Sequence, residues 1–181
     1  MPAPCFAALL RGINVGGNNK LPMKELAALF TKAGCTDVVT YINSGNVVFR
    51  AEPALAERIP ELISAAILKT KKLSVPVVVR SAAELKKIVA KHPHLTPEAE
   101  KRFLHVGFLA KRPSAAQVAS LDPNRSPGDV FTVIGSELYA LYGAGMAKTK
   151  LTNQYIDSKL GTVSTMRNWN TVLKLVELTG G

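Results

Sequence analysis

The sequence predicts an α+β fold. A ferredoxin-like β-α-β-β-α-β plait fills the N-terminal half, and a second ferredoxin-like α+β unit is expected in the C-terminal half. Three observations predict it. Short β-branched runs alternate with stretches of helical apolar spacing in that order, twice. An Asn-Ser-Gly-Asn turn at 43–46 and a Gly-Ser turn at 135–136 separate paired apolar runs, which is a hairpin signal. The length, 181 residues, allows two units of roughly 80–100 residues each.

The first half is read in order. Cys5-Phe6-Ala7-Ala8-Leu9-Leu10 is a continuous apolar strand, followed by a loop rich in Gly and Asn. Pro22 suits the first helical position, where its fixed φ is already helical. Met23, Leu26, Ala27 and Phe30 share one helix face, and Gly34 ends the helix. Val38–Ile42 and Val47–Phe49 form a hairpin about Asn43-Ser44-Gly45-Asn46. Leu55 to Ile67 trace a second amphipathic helix, which Pro60 should kink or delay. Val75–Val79 is the fourth strand, with Pro76 pointing to an edge.

The second half repeats the order. Ser81-Ala82-Ala83-Glu84 is a capping box that opens a helix. His92-Pro93-His94 lies in a loop, without the three or four ligands a zinc site needs. Phe103–Ala110 reads as a strand and Ser114–Leu121 as a short helix. Val130–Ile134 and Leu138–Tyr142 form a second hairpin. Thr149 is placed as the cap of a helix over 150–160 that Gly161 stops. Thr162–Thr165 is a short extended piece, and Asn168 caps a final helix through Trp169, Val172, Leu173 and Val176. The expected division is a ferredoxin-like domain over 1–80, a helical linker over 81–102, and a second α+β domain with a C-terminal helix over 103–181.

Hydrophobic residues make up 47% of the chain and aromatics 6%, so aliphatic side chains must fill the core. The formal charge is +10, from 23 basic and 13 acidic residues, which favours anionic partners. Seven basic residues lie between Lys69 and Lys91 against Glu84 alone. Two cysteines, Cys5 and Cys35, make no disulfide framework, so a reducing cytoplasm is expected. The expected strand order also keeps these two apart. No apolar run approaches the ~20 residues of a membrane span, and no membrane partner is expected. Composition sets no oligomeric state.

The stretch Leu10 to Met23 carries the most local chemistry. It is not a Walker A loop, because Asn18 stands where the lysine belongs. Its glycine spacing also departs from the dinucleotide fingerprint. What remains is glycine-freed backbone N–H groups, amides at Asn14, Asn18 and Asn19, and cations at Arg11 and Lys20. Such a loop reads equally as an anion cradle and as a structural crossover that needs positive φ. Pro22 at the first helical position would remove one donor.

The same vocabulary returns at Asn43, Ser44 and Asn46, at Lys148, Lys150 and Asn153, and at Arg167 and Asn168. These twelve residues with Arg11, Asn14, Asn18 and Lys20 among them are the candidate ligand contacts. An RNA-recognition reading is weakened because Asn46 stands where a stacking aromatic belongs; Phe6 and Phe49 read as core. No nucleophile elbow is present and carboxylates are scarce in these motifs, so no catalytic residue, metal or cofactor is assigned.

Leu9-Leu-Arg-Gly-Ile-Asn-Val-Gly-Gly17, Leu21-Pro-Met23, Tyr41-Ile-Asn-Ser-Gly-Asn-Val-Val-Phe49, Val77-Val-Val-Arg80, Lys150-Leu-Thr-Asn153 and Arg167-Asn-Trp-Asn-Thr-Val172 together resemble the bacterial family called domain of unknown function 1697 (DUF1697). The resemblance implies an α+β protein with ferredoxin-like elements and offers no activity or catalytic residues. The expectation is therefore a protein that binds an anion, either nucleic acid or a phosphorylated metabolite. The alternatives are a small cytoplasmic enzyme acting on a phosphate- or carboxylate-bearing metabolite and a regulatory partner protein without a small-molecule site.

Overall fold

The computed structural model describes residues 2–180. The chain divides into two compact units, Met1–Lys86 with Leu175–Gly181, and Lys87–Lys174. In the first, β1 (Cys5–Leu10), β2 (Thr36–Tyr41), β3 (Asn46–Arg50) and β4 (Val77–Ser81) form one antiparallel sheet in the order β2-β3-β1-β4. Helices α1 (Met23–Lys32) and α2 (Pro53–Lys71) cross over between its strands. This is the ferredoxin-like plait.

Alternation along the strands decides what each sheet face carries. Phe6, Ala8, Leu10, Val47 and Phe49 pack with Leu26 and Phe30 of α1 and Ile59, Ile63 and Ile67 of α2. The Phe49 ring lies between Phe6 and Phe30, with centroids 5.8 and 5.3 Å away. Both phenylalanines are core. Ala7, Leu9, Val48, Val78 and Arg80 occupy the other face, and all of them are buried.

Two prolines act differently from their sequence reading. The helix begins at Met23, and Pro22 is its N-cap with extended ψ. None of the first-turn N–H donors is lost. Helix α2 starts at Pro53 and runs through Pro60 to Lys71 without delay. Proline at the first position spends no donor that the helix would have used. Cys35 precedes β2, strand β3 lies between β2 and β1, and both thiols are free.

The second unit repeats the plan with β5 (Leu104–Leu109), α4 (Ala115–Ala119), β6 (Asp129–Ile134), β7 (Glu137–Tyr142), α5 (Asn153–Leu160) and β8 (Ser164–Asn168), after α3 (Ala82–Ala90). Its sheet order is β6-β7-β5-β8. The registers correspond residue for residue. Ala7 pairs with Val48 and Arg80; Val106 pairs with Tyr139 and Arg167. Leu10 N donates to Gly45 O as Leu109 N does to Ser136 O. Arg11 N donates to Pro76 O as Ala110 N does to Val163 O.

A helix follows each fourth strand directly: α3 after Ser81, whose side chain and N–H exchange bonds with Glu84, and α6 (Trp169–Leu178) after Asn168, whose Oδ1 accepts from Thr171 N. Thr149 does not cap α5, which starts three residues later on Thr152. The Thr149 hydroxyl instead donates to the buried Asp129 carboxylate at 2.6 Å and accepts from Leu151 N. Among the described residues no helix is long and apolar enough to cross a membrane.

Candidate functional site

The register fixes what meets at one end of the first plait. Leu9 pairs with Asn46 and Leu10 with Val77, so the exit of β1 and the entries of β3 and β4 lie together. The loop 11–22, the β2–β3 turn and the start of α1 therefore share that end. A pocket of about 360 Å³ opens there, lined by Asn14, Gly17, Lys20, Leu21, Pro22 and Asn43.

The loop is built, not slack. Val15 and Asn18 bridge across Gly16 and Gly17, both at positive φ. Asn14, at φ 54°, is the knot. Its Nδ2 donates to Leu21 O and Asn43 O, and its Oδ1 accepts from Leu21 N, each within 2.9 Å. Asn19, also left-handed, donates to Gly12 O. Ile13 and Leu21 turn inward and are buried in the core. Asn14 and Asn19 thus spend their amides on the loop and, through Asn43, on the turn that faces it.

The turn opposite is similarly fixed. Asn46 is fully buried and donates to Tyr41 O and the Ser44 hydroxyl. Ile42 takes φ 48° and is half exposed. A β-branched residue in that region is strained. Asn43, Asn18 and Lys20 remain solvent-facing. Arg11 is half-buried at the loop's root.

The start of α1 completes the chemistry. No side chain caps it. The N–H groups of Met23, Lys24 and Glu25 belong to its first turn, where the helix carries partial positive charge. The one carboxylate of that turn, Glu25, is engaged by Lys71. Sequence reading passed over Lys24, which the helix start at Met23 places in the first turn of α1.

The remaining predicted contacts lie in the second unit, where Asn153, Arg167 and Asn168 spend their side chains on the chain itself and Lys148 and Lys150 are exposed. Arg167 is buried, donates to Thr165 Oγ1 and Met166 O, and is pulled down to about 10 by desolvation. Asn168 is the α6 cap. Lys150 contributes its backbone to Ser126 and Arg125, while Arg125 stacks over Tyr155 at 3.9 Å. Asn153 Oδ1 accepts from Ser164. Lys148 is exposed beyond β7. Arg167 and Asn168 close β8 opposite His105, the beginning of β5. The pocket sits where β1 ends. Arg167 and Asn168 are therefore at the end of their plait opposite to the one that corresponds to the pocket, whereas Asn153 meets Ser164 where β5 ends.

The three histidines also lie in the second unit. His92 is buried; its Nδ1 accepts from His94 N and its Nε2 faces His105 O at 3.2 Å. A carbonyl only accepts, so the proton sits on Nε2 and the ring is neutral. Tyr139 and Trp169 meet the ring edge-on. Burial pushes its pKa down to about 4 and lowers those of His94 and His105. Among the described residues no three His, Cys, Asp or Glu side chains are grouped to hold a metal.

Residues 4–139 match the family described as "Protein of unknown function (DUF1697)". The chain belongs to DUF1697. The matched span holds the whole of the first plait and its pocket, and ends within β7; Lys148 to Asn168 lie beyond it. Among solved structures, the DUF1697 chain is similar to "conserved bacterial protein SP0830 from Streptococcus pneumoniae", with TM-score 0.69 and 23% identity. That likeness covers 97% of this chain and 98% of the other, and it bears on the fold. No curated protein matches.

Proposed function

We propose that this DUF1697 protein binds a phosphate-bearing anion at the start of α1. The observation that carries the reading is an uncapped helix N-terminus opening beside a pocket that Lys20 lines. Three first-turn N–H groups supply donors, the helix dipole favours negative charge, and Lys20 supplies a full cation. Leu21 and Pro22 give the pocket an apolar wall for the body of a ligand. No carboxylate lines it, so the chemistry on offer is recognition rather than acid–base catalysis. The two free thiols support a reducing compartment such as the cytoplasm.

Calorimetric titration with inorganic phosphate and with nucleoside phosphates, at rising salt, tests this. The expected result is binding that weakens as salt rises, and a loss of roughly tenfold in Lys20→Ala, the cost of one charged hydrogen bond. Binding that ignores salt and Lys20 would remove the reading.

A further inference from the structure

The pocket is only part of a larger cationic end. Helix α1 begins at the end of the plait where α2 finishes, and the Lys71–Glu25 ion pair ties the two together. Lys20 and Lys24 are exposed on the α1 side, Lys69 and Lys72 on the α2 side. Among the described residues none of these four has a carboxylate partner. Glu25 is the one acidic residue across 11–25, 42–46 and 68–76, and Lys71 occupies it.

A small phosphorylated ligand seated in the pocket would use Lys20 and leave Lys24, Lys69 and Lys72 beyond its walls. A ligand that uses them all must be longer than the pocket and carry repeated negative charge. We propose that this end of the first plait is a track for a nucleic-acid strand, one phosphate resting on the start of α1 and its neighbours on the lysines that finish α2. The proposal rests on the phosphate reading above and extends it to a polymer.

The bases need no platform on the sheet. The face that an RNA-recognition plait would offer carries Ala7, Leu9, Val48 and Val78 here, and it is buried. Contact is therefore through the backbone phosphates, which gives strong salt dependence and weak sequence preference.

The test uses the full chain, a short fluorescein-labelled oligothymidylate read by anisotropy, and inorganic phosphate read by calorimetry. Two double variants are compared: Lys69→Ala with Lys72→Ala, and Lys111→Ala with Arg112→Ala at the matching end of the second plait. The expected result is a slope of log K against log salt that flattens by about 0.7 for each lysine removed in the first variant. The second variant keeps the parental slope, and both bind phosphate as the parent does. An unchanged slope in the first variant, or an equal change in both, would overturn the track. Phosphate binding without oligonucleotide binding overturns the track and leaves the pocket reading standing. Absence of phosphate binding overturns both.

Discussion

The two plaits share a register and differ in how the first strand reaches the first helix. Between Leu109 and Ala115 the second plait makes a short connection, and the Ser114 capping box with Gln117 closes the helix start. Between Leu10 and Met23 the first plait runs a long loop with five left-handed residues, and leaves α1 uncapped. Fold formation demands neither the length nor the strain, since the same sheet order is reached without them. The excess belongs to what the loop does. It builds a wall, aligns a turn against it through Asn14, and leaves the start of α1 without a side-chain cap.

The comparison can be broken first at the loop's anchor. Ile13 is buried in the core, so Ile13→Ala is expected to cost about 2–5 kcal/mol in urea unfolding. Exposed Ala110–Arg112 substitutions in the short connection should stay within about 0.5 kcal/mol. A loss at Ile13 no larger than theirs would mean the loop is a passive excursion.

A smaller effect separates two matched turn positions. Gly45 and Ser136 accept the same hydrogen bond from β1 and β5. At Gly45 the backbone has φ 84°, and a Cβ would stand 2.8 Å from Leu10 Cβ and 2.9 Å from Ile13 Cδ1. Gly45→Ser should therefore cost about 1–3 kcal/mol. Ser136→Gly should cost less, about 1 kcal/mol or under. Equal costs would say that the turns are interchangeable and that the pocket's opposite wall is not specially packed.

Smallest near neutrality is the effect of pH, and it is confined to the second plait. His92 is neutral when folded, with a pKa lowered to about 4 from an ordinary 6.5. Below about 6.5 the unfolded chain binds the proton and the folded one does not. Its contribution is therefore whole above that pH and declines as pH falls toward 4. The protection factors of the His94 and His105 amides, exchange rates taken relative to the free amide at the same pH, should fall as pH drops through that window, with those of the β1–β3 amides unaffected. A loss of protection that begins in β1 would place the acid-sensitive element elsewhere.

Most of the plait was legible in the sequence because its signals are local. The Asn/Gly turns, the strand runs, the Ser81 and Asn168 caps and the Gly161 stop each lie within a few residues of what they determine. Long-range bonds decided what local rules missed. Thr149 looks like a cap, but its hydroxyl is taken by Asp129, twenty residues back in the chain. Asn14 looks like a ligand contact, but a carbonyl at Asn43 and both backbone groups of Leu21 hold it. The basic run from Lys69 to Lys91 looks continuous and is not. Lys69 and Lys72 end α2, Arg80 is buried in β4, and Lys86 and Lys87 lie on α3.

The most direct measurement is amide chemical-shift mapping of the full chain titrated with inorganic phosphate. The account predicts saturable shifts at Gly16, Gly17, Met23, Lys24 and Glu25, and none at Ala115 to Gln117, where Ser114 already supplies the cap. Equal shifts at both helix starts, or none at the start of α1, would contradict it.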